Sequence, residues 1–140
     1  MQHVAELAPE RNLVPPAGTI ERARLQAWLN FLSSEVHTGG FSPLFNPVMP
    51  EAAKRLFRDR LALRLTHLDR HLAAHKHLLA SGYSVADASC FVVASWANWV
   101  DVDLAPYPNL CAHRERIAVR PAVQAALAAE GMVPWPDKAP

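Results

Sequence analysis

The chain has little of the material from which catalytic loops are built. Five glycines in 140 residues leave no Gly-rich phosphate loop, and no strained nucleophile turn is present. Two cysteines, Cys90 and Cys111, are too few for a disulfide framework and do not form a pair at zinc spacing. An excess of charge is also absent: 14 Lys+Arg stand against 13 Asp+Glu, a formal net charge of +1. Neither nucleic acid nor an anionic membrane is therefore an expected partner. The longest nearly apolar stretch, Ala88 to Val100, is broken by Ser and Asn, and a membrane span needs about 20 apolar residues. Met1-Gln2-His3-Val4-Ala5-Glu6 does not read as a signal peptide. The expectation is a cytoplasmic protein with reduced thiols, Cys90 being an inert core residue.

Helix formers are what the chain has in abundance. It contains 24 Ala and 17 Leu, both among the best helix formers. Hydrophobic residues make up 51% and charged residues 19%, the opposite of a disordered composition. The length suits one domain. Twelve prolines are unevenly spread, with none between Pro16 and Pro43 and none between Pro50 and Pro106. Since proline disfavours helix interiors, these gaps are the helical windows.

In the first window Thr19 is a candidate N-cap. Leu25, Trp28, Leu29, Leu32 and Val36 recur at spacings of three and four, one face of a helix. Gly39-Gly40 is expected to stop it near His37, leaving Phe41 to Pro47 as an apolar loop. The second window runs from Pro50 to Leu79, with Phe57, Leu61, Leu65, Leu68, Leu72 and Leu79 as its buried stripe. Arg55, Arg58, Arg64 and Arg70 lie outside that stripe, and Ser81-Gly82 ends the helix. In the third, Ser84 and Asp87 stand at capping-box spacing. The helix they open is apolar nearly all round to Val100, which predicts a central position. Shorter helices are expected from Asn109 to Val119 and from Pro121 to Glu130. No segment alternates apolar and polar residues over a strand's length, so the fold class is all-α, a bundle of five or so helices.

Three features carry possible chemistry. His67, His71 and His75 are spaced four apart, with His77 nearby. A pair at i and i+4 shares a helix face and can chelate a metal. The third turns away by about 80°, however, and the row reads as a solvated face, so no metal site is expected. His37 sits at an expected helix end beside an apolar loop, where it is either a carbonyl partner or a ligand contact. Phe41, Leu44, Phe45, Trp96 and Trp99 concentrate aromatic and apolar bulk at the joints, as core or as the lining of a pocket.

Taken in order, several stretches resemble the C-terminal helical domain of the cytosolic glutathione S-transferases, in their bacterial beta-class form. Val4 to Leu13 is similar to the last helix of the family's thioredoxin-like half and its linker. Arg24 to Phe31 and Glu35 to Phe45 resemble the first helix of the helical half. Gly82 to Ala88 is similar to the capping-box helix, and Arg120 to Leu127 with Glu130-Gly131 to the C-terminal signature. The resemblance implies a glutathione site that includes His37, with Asn30 reaching the glutathione of a neighbouring subunit and Thr38 standing where the family commonly has Lys. It implies a hydrophobic-substrate pocket bordered by Phe41, Leu44, Phe45 and Trp96, and a structural capping box of Ser84 and Asp87. Glutathione is then a co-substrate rather than a bound cofactor. A hydrophobic electrophile is the other ligand, and a homodimer is the expected assembly.

In this family a thioredoxin-like half comes first and supplies the group that activates the glutathione thiol. On the resemblance, residues 1–18 correspond to the end of that half plus the linker, 19–133 to the helical domain and 134–140 to a loose tail. The chain alone is therefore expected to be inactive. The alternative is a non-catalytic helical module that dimerises or binds hydrophobic ligands.

Overall fold

The computed structural model describes residues 1–132; residues 133–140, which include the expected loose tail, lie outside the described residues. Helix α1 spans Gln2–Glu6 and is followed by a 3-10 turn at Pro9–Arg11. Helix α2, Ile20–Asn30, runs directly into a π-helical segment, Phe31–Phe41, and then into a short helix α3, Ser42–Leu44. The long helix α4 spans Glu51–Ala74, and α5 spans Val85–Ser95 with a 3-10 continuation at Trp96–Trp99. Helices α6, Pro108–Ala118, and α7, Pro121–Ala129, complete the bundle. Among the described residues there is no strand; one isolated bridge pairs Leu79 with Gly82.

The core collects the predicted stripes. Leu25, Leu32 and Val36 pack with Leu61, Leu65, Leu68 and Leu72 of α4, with Ala86, Cys90 and Ala94 of α5, and with Leu110 of α6. Each fully buried Leu contributes on the order of 1.5–3 kcal/mol of transfer free energy. Not every apolar position of α5 and its continuation is inside: Val92 and Trp99 are exposed. Thr19 caps α2 by accepting a hydrogen bond from the Arg22 amide at 3.1 Å. Arg22 ties the first helix down. Its guanidinium donates to Glu6, to Gln2 Oε1 at 3.2 Å and to the Pro15 carbonyl. The Val85 amide donates to the Leu13 carbonyl at 3.0 Å, which fixes the 12–18 linker against the start of α5.

Two expected joints are different in the structure. Gly39-Gly40 does not stop the first helix, and Phe41 is not in a loop; the helix widens and continues. The Ser42 amide bonds the His37 carbonyl, five residues back. Glycine permits this widening: a Cβ on Gly39 would stand 2.9 Å from the Ser34 carbonyl oxygen, and one on Gly40 would stand 2.8 Å from Leu61 Cδ1. The wider turn also changes what is buried. In an α-helix, residues five apart point roughly 140° apart, yet Val36 and Phe41 are both buried. The second helix ends at Ala74 rather than Leu79. The chain turns out at His75, whose backbone is extended, and Leu78 and Leu79 reach the core from the following turn.

Candidate functional site

The π-helical segment places His37 halfway along itself, not at a helix end. Its imidazole packs edge-on against the Trp96 indole, with centroids 4.6 Å apart. Phe45, just past α3, also meets Trp96 edge-on, at 5.7 Å. Three of the sequence-selected residues thus come together, from the π segment, the loop after α3 and the 3-10 turn after α5. His37 and Trp96 are half-buried and Phe45 is 44% exposed, so the cluster presents both a polar ring and open aromatic surface.

The other candidates divide. Phe41 is fully buried and Leu44 nearly so; both belong to the core cluster rather than to open pocket surface. Thr38 is exposed, next to His37. Asn30 is exposed at the end of α2, seven residues before His37, and its carbonyl accepts from Ser34 Oγ at 2.8 Å.

The histidine row meets aromatic rings. His67 packs against Trp28 and Phe31 at 5.7 and 5.2 Å, and His71 against Trp28 at 4.6 Å. His75 stacks on His71 at 4.3 Å, and its Nδ1 pairs with the His71 carbonyl. Burial, followed by the neighbouring His75, lowers the His71 pKa. His67 and His75 are exposed and His71 is half-buried, so the row is only partly solvated.

At the start of α5 the capping box is formed. Ser84 Oγ accepts from the Ala86 amide at 3.2 Å, and Asp87 Oδ2 accepts from the Ser84 amide at 2.9 Å. Asp87 does more than the sequence motif requires. Its Oδ1 also accepts from the Leu78 amide at 3.0 Å and pairs with His113 Nε2 at 2.9 Å. Burial alone would raise the Asp87 pKa, but the bonds from His113, Leu78 and Ser84 outweigh it and hold the carboxyl below its ordinary value. His77 Nδ1 lies 3.6 Å from the same Oδ1. One ligand atom from each of His77, Asp87 and His113 lies within 4.8 Å of the others, a group able to hold a metal ion.

The sequence reading missed His113, because 26 residues separate it from Asp87 and no local spacing links them. It also missed Asp69, which caps α6 from α4 by accepting from the Asn109 and Leu110 amides at 2.8 and 3.0 Å. An acidic residue on the half-buried side of α4 was the available signal.

Comparison with known proteins fits this architecture. The sequence profile described as "Glutathione S-transferase, C-terminal domain" matches residues 34–130. Glutathione S-transferase GstA of Escherichia coli O157:H7 is 36% identical over 132 residues, which are 94% of this chain and 65% of that protein. BphK, a bacterial glutathione S-transferase solved as a ternary complex, is 46% identical with a TM-score of 0.91. A sphingomonad glutathione S-transferase complexed with glutathione is 39% identical with a TM-score of 0.89. Both superpositions cover 94% of this chain and 65% of the other. The chain therefore spans just under two thirds of the length of these relatives. With the profile and the bundle in agreement, the chain belongs to the glutathione S-transferase family, through that family's all-helical C-terminal domain.

Proposed function

We propose that this chain supplies the helical half of a glutathione-conjugating enzyme, bearing part of the glutathione site and one wall of the pocket for a hydrophobic electrophile. The observation that carries this reading is the His37–Trp96–Phe45 cluster, where an imidazole borders open aromatic surface. His37 and Thr38 contribute polar contacts to glutathione, and Asn30 serves the glutathione of a neighbouring subunit. Phe45 and Trp96 contact the electrophile, while Phe41 and Leu44 lie in the core. In the reaction the glutathione thiolate forms a bond from sulfur to an electrophilic carbon, and the leaving group departs with its electron pair. Stabilisation of the thiolate is assigned to a thioredoxin-like half of the kind the resemblance implies. The 140 residues alone are expected to conjugate no faster than buffer. The working form is a cytoplasmic homodimer; among the described residues no helix is long and apolar enough to cross a membrane.

The test is a chimera in which this chain replaces the matching region of the Escherichia coli relative. Conjugation of glutathione to an activated aryl halide is expected. His37→Ala should raise KM for glutathione by roughly 3–10-fold, the loss of one hydrogen bond of about 1 kcal/mol. A folded, active chimera indifferent to His37→Ala would remove His37 from the site. A folded chimera without activity would overturn the reading.

One observation favours the second reading, a module that binds apolar partners. A cavity of about 450 Å³ opens beside α1, lined by Met1, Val4, Ala5, Ala8, Leu13 and Val85. Val4 on the same helix and Leu7 just past its end are largely exposed. Saturable binding of a hydrophobic dye that is lost in Ala5→Asp would support it.

A further inference from the structure

The Asp87 cluster lies apart from the His37–Trp96–Phe45 site and has its own chemistry. His77 comes from the turn after α4, Asp87 from the first turn of α5 and His113 from α6. Asp87 and His113 are wholly buried, and the His77 side chain is 17% exposed. His77 Nδ1 is buried and has no hydrogen-bond partner, although it faces Asp87 Oδ1 at 3.6 Å. That distance is too long for a hydrogen bond. It is close to the separation of about 3.3 Å that metal–ligand bonds of about 2.0–2.1 Å impose between ligands of a tetrahedral ion.

We propose that His77, Asp87 and His113 form a binding site for a divalent transition-metal ion of the zinc class. Two imidazoles and one carboxylate are a donor set suited to such ions. His77 Nδ1, His113 Nε2 and Asp87 Oδ1 are the ligand atoms, and the fourth position is left to water entering past the partly exposed His77. On binding, the His113 hydrogen that faces Asp87 shifts from Nε2 to Nδ1, so that Nε2 offers its lone pair to the metal and the ring loses no proton. Asp87 keeps the Leu78 and Ser84 amides as donors. The ion joins three segments whose only covalent link is the chain itself, so binding stabilises the fold by mass action. The site does not depend on the glutathione reading.

The test uses the full untagged chain, stripped with EDTA, titrated with Zn²⁺ by calorimetry and with Co²⁺ by visible absorption. One ion per chain is expected, with the intense visible bands of tetrahedral Co²⁺ and a raised Tm. His77→Phe should weaken Zn²⁺ binding on the order of 100-fold, since even an indirect partner of a metal is worth about 10–100-fold. Its metal-free Tm should stay close to that of the parent, and His77→Gln provides a second variant should Phe disturb the turn. The double variant His71→Ala/His75→Ala should bind as the parent does. Binding that survives both His77 variants, or that disappears in the double variant, would place the ion on the α4 row and overturn the proposal. A folded chain with no zinc site would overturn it as well.

Discussion

Replacing Asp87 by Ala removes a buried carboxylate that accepts four hydrogen bonds. The carboxylate accepts from the Leu78 amide, the Ser84 amide, the Ser84 hydroxyl and His113 Nε2, all within 3.1 Å and all buried. The Ser84 hydroxyl can rotate to another acceptor. The three N–H donors cannot, and each buried donor left unsatisfied costs about 1–3 kcal/mol. Relaxation and water entry reduce the total, and about 4–5 kcal/mol is expected. A domain has only about 5–15 kcal/mol to lose. At about 3–4 °C per kcal/mol for a chain of this length, Tm should fall by roughly 15 °C. Ser84→Ala removes the Ala86 cap and should cost only about 1 kcal/mol. Urea unfolding followed by far-UV circular dichroism, with EDTA present, measures both. An Asp87→Ala variant that loses less than Ser84→Ala would refute the reasoning.

Two further outcomes follow from packing. In an ordinary helix Gly→Ala stabilises by up to about 1 kcal/mol, but Gly39→Ala should destabilise by about 1–3 kcal/mol, because its Cβ meets the Ser34 carbonyl at 2.9 Å; a urea midpoint above the parent's would contradict the fit of the π segment. Cys90 is wholly buried, and burial pushes its thiol up to about 12, so iodoacetamide at pH 8 should label the half-buried Cys111 first and Cys90 only on unfolding. Peptide mass spectrometry reads the order, and equal labelling of the two in folded protein would contradict it.

The helices were legible because their signals are local. The Leu61–Leu72 stripe, the Thr19 cap and the Ser84–Asp87 spacing each lie within a few turns of chain. The π-helical stretch was not legible, because Gly39-Gly40 has two physical meanings. Glycine ends helices by adopting a left-handed backbone, and it also lets a wider turn bring a carbonyl or a neighbouring side chain close. The choice between them rests on close approaches the sequence does not display, of the Ser34 carbonyl to Gly39 and of Leu61 on a distant helix to Gly40. The surroundings of His37 read as a helix end in the sequence, whereas the π segment places it against Trp96, and that shifts the polar atoms available to a ligand. Phe41 shows the same limit: aromatic bulk at a joint reads as pocket or as core, and the wider turn puts it in the core. The pairing of Asp87 with His113 and the capping of α6 by Asp69 join residues 26 and 41 positions apart. Such contacts belong to tertiary packing and leave no periodic trace.

The central claim is that the helical half itself carries part of a glutathione site around His37. The most direct test is a glutathione titration of the isotope-labelled chain followed by NMR, with His37→Ala beside it. The account predicts weak, saturable shifts at the amides of His37 and Thr38 and at the Trp96 indole, lost in His37→Ala. A folded chain that shows no change at these positions up to millimolar glutathione would contradict it.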